Sequence, residues 1–499
     1  MFRSKPSVGP LSITIMGMLV WLSWAQQSWA TQHLPADRHT AESTEEVSGR
    51  SEPKPRLIVL TDMTSMSPGV REPDDAQSMI RLLLYANKFD IEGIIASSGL
   101  QHGHVVRPEI IRKIVDAYGE IQPNLLLHDK YYPSADSLRR VIKNGQPKAD
   151  KDIPVYESIG EEHDTQASDW IIRAVDKSDD RPVWIVIWGG PADLGQALWR
   201  VRKTRSITRA NAFIQKIRVA ASGNQDSTAQ WIKSRFPDLH YITRAGGGRG
   251  IYRGGDTSLS DSEWIQQNIR GHGALGDIYP DYRGGDIYTW KLGKVNGIKG
   301  GDSGTYMGLI YNGLNVPNQL TWVNWGGRIE PVPDEPNRYQ DAIDRAGNFE
   351  TDLSPYWANV YRWRRDFQSD YAARFDWTIK TYEQANHAPL RRSGTRVVNQ
   401  KVAARARVQL DASGWRDPDG DNLSFEWQVL NEETMLSSGV TIENNSSKSA
   451  RFTAPAAEQA QSVHVLLTVR DDGNPSLASY QRFNYRVLPQ AAGHNLDGG

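Results

Sequence analysis

The chain has 499 residues, with 58 lysines and arginines against 59 aspartates and glutamates, for a formal net charge of -1. That length exceeds what one hydrophobic core serves and predicts two or three domains. Balanced charge without a long basic run excludes nucleic acid as a partner, and the absence of cysteine excludes disulfides and thiol catalysis.

Residues 1–30 read as an export signal: Arg3 and Lys5 precede an apolar stretch from Leu11 to Ala25, and Ser28-Trp29-Ala30 offers a small-x-small cleavage site. About fifteen apolar residues fall short of the ~20 that span a bilayer. No later segment is apolar enough to span one, so the expectation is a secreted or periplasmic protein with no membrane span after signal removal. Residues 31–55 are polar and aperiodic, a disordered linker, and residues 490–499 a flexible tail.

From Arg56 strands and helices alternate. Leu57–Thr61, Ile91–Ser97, Val183–Trp188, Ile217–Ala221 and Leu239–Ile242 read as strands. Asp75–Phe89, Arg107–Tyr118, Ala167–Val175, Ala192–Val201 and Ser227–Arg235 read as helices. Continuous apolar strands between amphipathic helices predict an α/β domain, residues 56–385, built on a doubly wound, mostly parallel, Rossmann-like sheet. From Asn386 the period changes to two, as in Leu423-Phe425-Trp427 and Val463-Val465-Leu467-Val469, and residues 386–489 read as an all-β, immunoglobulin-like sandwich. Trp427 belongs to its core, whereas Trp415 lies nearer a turn and is a candidate for exposure. Asp417, Asp419 and Asp421 have the look of a calcium loop, which an Asp/Gly turn explains equally well.

The strongest chemical signal is acidic. Asp62 ends the first strand, and Glu72-Pro73-Asp74-Asp75 opens the helix that follows. Ligands of open α/β sheets bind beyond the carboxyl ends of the strands, so acids gathered there read as a cation site, and a set of oxygens suits Ca²⁺ better than zinc. Asp302, in Gly300-Gly301-Asp302-Ser303-Gly304, and a carbonyl at Trp188 are the further candidate ligands. Glycine pairs between Gly246 and Gly327 read as the rim of the site. A helix N-cap accounts for one of Asp74 and Asp75 but not for Asp62. Seventeen tryptophans and nineteen tyrosines exceed ten phenylalanines, a skew compatible with sugar platforms or with cores. Trp325, just before Gly326-Gly327, is the candidate for a pocket wall, together with Trp322.

Thr61-Asp62, Glu72-Pro73-Asp74-Asp75, Trp188-Gly189-Gly190, Ser222-Gly223-Asn224-Gln225-Asp226, His272-Gly273-Ala274-Leu275-Gly276 and Gly301-Asp302-Ser303 resemble the nucleoside hydrolase-like cellulose-binding proteins. Asp417-Pro418-Asp419-Gly420-Asp421 with Trp427 resembles their terminal sandwich. The resemblance implies that Asp62, Asp75, Asp302 and the carbonyl near Trp188 hold Ca²⁺. It further implies that Asp74, with Asn224 of its motif, meets the sugar, and that Asp62 is the base for a metal-bound water. Three departures stand out. Leu60 occupies a place where true nucleoside hydrolases have a further aspartate, eleven residues separate Asp62 from Asp74 where they have three, and Gly301 replaces a histidine that some of them place before the last aspartate. A leaving-group acid must then come from elsewhere, and His272 is the first candidate, followed by His163, His102 and His104. The expected function is Ca²⁺-dependent hydrolysis of an N-glycosyl or related glycosidic bond, the alternative a non-catalytic carbohydrate (cellulose)-binding protein. Its partner is then a carbohydrate or nucleoside, with a polysaccharide among the expected ligands.

Overall fold

The structure, a computed structural model, describes residues 53–67, 73–99, 104–285, 293–344, 355–392, 394–434 and 439–489. The expected export signal, most of the expected linker, the expected tail, Glu72 and His102 lie outside the described residues.

Every residue of β1 (Arg56–Thr61) is buried, and its apolar side chains alternate between two cores. Leu57 and Val59 face one core, Ile58 and Leu60 the other, as the two-residue period of a strand requires. The same alternation in β4 (Val183–Ile187) sends Trp184 and Val186 one way and Val183, Ile185 and Ile187 the other. A strand buried on both faces needs helices on both. On one side lie α1 (Pro73–Leu84) and α2 (Pro108–His128); on the other lie the helices Gln166–Val175, Ala192–Thr204, Ile207–Gln215 and Thr228–Arg235.

With β2 (Asp90–Ala96), β3 (Ile142–Asn144), β5 (Ile217–Ala221) and β6 (His240–Thr243), six parallel strands run in the order β3-β2-β1-β4-β5-β6. Arg338–Asp341 continues the sheet parallel to β6, and Ile329–Pro331 closes that edge antiparallel. The chain winds outward in both directions from the seam between β1 and β4. Such a switch point opens a crevice at the carboxyl ends of the strands.

In α1, Ala76, Met79, Ile80 and Leu83 recur at helical spacing and are all buried, while Asp74 and Asp75 occupy the first turn, where the helix dipole favours negative charge. Two short segments that had no place among the expected elements are β3 and Arg338–Asp341. Both are brief and partly polar, and neighbouring strands, not their own periodicity, make them strands.

The C-terminal part is a β-sandwich. One sheet holds Val397–Ala403, Ala478–Leu488, Gln461–Asp471 and Leu423–Val429; the other holds Arg407–Asp411, Ser449–Thr453 and Ile442–Glu443. Trp427 is in its core, as its alternation predicts. Trp415 is also buried, at 6 % exposure, which corrects the expectation drawn from its neighbouring turn. Arg482 joins the sandwich to the α/β domain: its guanidinium pairs with Glu433 and donates to the carbonyls of Leu314 and Val323 at 3.1 and 3.2 Å. Among the described residues no helix is long and apolar enough to cross a membrane.

Candidate ligand site at the strand ends

Asp62 directly follows β1, and the adjoining strands make room for it. A Cβ on Gly99, beyond β2, would overlap its Oδ2, and one on Gly189, beyond β4, would lie 2.6 Å from its Cβ. Only glycine permits that approach on both sides, and the carboxylate is left 3 % exposed at the switch point.

Three more acids come to the same edge. Asp75, 4 % exposed, accepts a hydrogen bond from the Thr61 hydroxyl. Asp74 makes an ion pair with Lys299, Nζ to Oδ2 2.8 Å. Asp302, in the single turn Gly301–Ser303, accepts from Ser222 at the end of β5. Burial first, then the nearby charges of Asp74 and Asp62, push its carboxyl up to about 7, while Ser222 and Lys299 pull the other way. Burial opposes the charge of Lys299, yet Asp74 beside it raises the ammonium above the ordinary lysine range. The glycine segments meet here too: a Cβ on Gly248 would stand 2.5 Å from the carbonyl oxygen of Gly301.

The expected calcium ligands therefore share a neighbourhood, but they do not form a cage. The acids are close enough to repel one another, yet among the described residues no group of three or more His, Cys, Asp or Glu side chains is arranged to hold a metal ion. The carbonyl of Trp188 accepts the side-chain amide of Gln225, and the Trp188 indole, fully buried, donates to Thr305 Oγ1 at 3.0 Å. As they stand, these residues do not fit Ca²⁺, which wants six to eight oxygens around one point.

The remaining candidates have other partners. His272 precedes the short helix Gly273–Asp277; its Nε2 lies 3.2 Å from Asp376 Oδ1 and its Nδ1 3.1 Å from the carbonyl of Arg270. The hydrogen bond to Asp376 raises its pKa, and none of these partners is a rim acid, so the ring serves as a structural hydrogen-bonder. His163 is half-buried and His104 exposed with φ 57°. Asn224 is exposed and accepts from Lys233 Nζ at 2.9 Å. Trp325, 3 % exposed, packs edge-on against Phe367 and Tyr480, so it belongs to the contact with the sandwich rather than to a pocket wall. Trp322 is half-buried, beneath the Arg482 guanidinium and edge-on to His464.

Sequence reasoning missed Lys299 and Gln77, and had Ser222 and Gln225 only as members of the motif around Asn224. The one usable signal was Lys299 itself, a lone cation three residues before Asp302 in a glycine-rich stretch.

Residues 56–329 match the family described as cellulose-binding Sde182, nucleoside hydrolase-like domain, and residues 407–486 match the Sde0182 C-terminal domain. A solved nucleoside hydrolase-related protein from Saccharophagus degradans, described as associated with carbohydrate metabolism, is 31 % identical. It covers 87 % of this chain and 100 % of its own, with a TM-score of 0.72. A PKD domain from KIAA 1837 protein (21 % identity, 20 % of this chain and 87 % of that one, TM-score 0.15) overlaps too little to bear on the argument. The same holds for a Photobacterium 2,6-sialyltransferase (14 %, 19 % and 17 %, 0.15). No curated protein matches. With both segments matched and one solved relative covered along its whole length, the chain belongs to the Sde182 family of nucleoside hydrolase-like, cellulose-binding proteins.

Proposed function

We propose that the chain is an exported carbohydrate-binding protein that holds a sugar at the carboxyl-end rim of its α/β domain. One observation carries this reading: Asp62, Asp74 and Asp302 gather at the switch point together with Lys299 and Ser222, in a family described as cellulose-binding. Carboxylates and an ammonium are the groups that bind vicinal sugar hydroxyls. They are nearly buried, so a flat polymer face cannot reach them; a terminal sugar or a short soluble glycan can. Export rests on the apolar stretch Leu11–Ala25 with its basic leader.

Calorimetry with short, soluble cello-oligosaccharides tests the proposal. Wild type is expected to bind, and Asp74→Asn to bind roughly tenfold or more weakly, as for one lost charge-assisted hydrogen bond. Absence of glycan binding by wild type sinks it.

The second reading is hydrolysis of an N-glycosyl bond with Asp62 as base, which the survival of aspartates at 62, 75 and 302 favours. Turnover of nucleosides or aryl glycosides by wild type but not by Asp62→Asn would establish it instead.

A further inference from the structure

We propose that Lys299 supplies, from within the chain, the positive charge that the resemblance assigns to a calcium ion, so that the rim works without a metal. Acids crowded at one strand end need a counter-charge. Here one is at hand: Lys299 Nζ sits 2.8 Å from Asp74 Oδ2, with the two side chains only 11 % and 18 % exposed.

The lysine is held in place along its length. Gln77 Oε1 accepts the backbone N–H of Lys299 at 2.7 Å and of Gly300 at 2.9 Å, while its Nε2 donates to the carbonyls of Pro280 and Gly297 at 2.7 and 2.8 Å. Asp74 and Gln77 are three apart on α1 and so share a face. One helical turn therefore grips both the backbone and the ammonium of Lys299. The ammonium also lies 4.8 Å from the centroid of the Tyr282 ring, a cation–π distance.

Three of the expected calcium ligands are engaged as well, Asp302 by the Ser222 hydroxyl. Gln225 donates to the Trp188 carbonyl, and Thr61 donates to Asp75. A calcium ion entering here must displace protein donors at three places before it gathers its oxygens. A tethered ammonium, unlike an ion, cannot be stripped by a chelator, and it leaves N–H groups to offer to a ligand.

The full chain, treated with EDTA, is titrated with CaCl₂ by calorimetry and by thermal melting, beside Lys299→Met and Lys299→Gln. For wild type the expected result is no binding heat and a Tm unchanged within about 1 °C; for the variants it is a calcium-dependent rise of roughly 2 °C or more. Saturable one-site calcium binding by wild type overturns the proposal, and so does a folded Lys299 variant that gains no calcium response. If neither variant folds, the wild-type titration decides. The role of the lysine rests on the rim being the ligand site, but the two claims fail separately: loss of glycan binding removes the carbohydrate reading, whereas calcium binding by wild type, or a folded Lys299 variant without a calcium response, removes this one.

Discussion

Two acidic clusters of this molecule satisfy their charge in opposite ways. At the sandwich turn, Asp417 Oδ1 accepts the backbone N–H groups of Asp419, Gly420 and Asp421 at 2.8, 3.0 and 3.1 Å, all within four residues. Asp419 in turn receives the His387 N–H at 2.7 Å. That cluster is built as an Asp/Gly turn. At the strand-end rim the partners are side chains from distant parts of the chain: Thr61, Ser222 and Lys299. Acids answered by their own backbone make structure, whereas acids answered by side chains keep oxygens that a ligand can compete for.

Removing the lysine is the hardest test of that contrast. Lys299→Met leaves Asp74 without its ion-pair partner in a mostly buried setting, which costs about 3 kcal/mol, read as a lower urea midpoint. Asp74→Asn in the same background should recover part of the loss, and two fully additive effects would mean the pair is not coupled.

The pH dependence comes next. The folded-state pKa of Asp302 is raised to about 7, so between the unfolded value near 3.8 and 7 the folded chain binds more protons. Its contribution is fully present below that window and is lost as pH rises through it. His128 has the opposite sign. Burial lowers its pKa first, with the neighbouring His387 adding to the effect, so the unfolded chain takes up a proton earlier and stability falls as pH drops below about 6.5. Its ring nitrogen Nδ1 lies 2.9 Å from His387 Nε2, and His387 stacks on Tyr382 with centroids 3.8 Å apart, linking α2 to the acidic turn. Asp302→Asn should flatten the decline of Tm between pH 4 and 7, and His128→Gln the decline on acidification. Melting curves of the two variants across that range check both signs; a shared slope would break the comparison.

The smallest effect belongs to the exposed turn. Asp417→Ala frees three backbone N–H groups that water can reach, so the expected cost is about 1 kcal/mol or less in a urea titration. A loss as large as that of Lys299→Met would mean the turn organises more than itself.

Much of the sheet was legible because β1 and β4 carry continuous apolar runs and α1 repeats its apolar residues at helical spacing. The turn at Asp417 was legible in its Asp/Gly composition, and the N–H groups that converge on Asp417 show how it is held. The tryptophans misled in one direction. Glycine beside Trp325 suggested a pocket wall and a turn beside Trp415 suggested exposure, but contact with Phe367 and Tyr480 buries the first and the sandwich core buries the second. His272 misled for a related reason: glycines around a histidine say nothing about Asp376, one hundred and four residues away.

The sequence by itself determined a doubly wound sheet followed by a sandwich, and it determined that Asp62, Asp74 and Asp75 would stand at a carboxyl edge, because periodicity and strand ends are properties of neighbouring residues. Only the tertiary structure decided what those acids face. Lys299 lies 225 residues beyond Asp74, and Gln77 is bonded to a segment 222 residues away. Partners that far apart leave no periodic trace, and they meet only because α1 and the approach to Asp302 pack at the same end of the sheet.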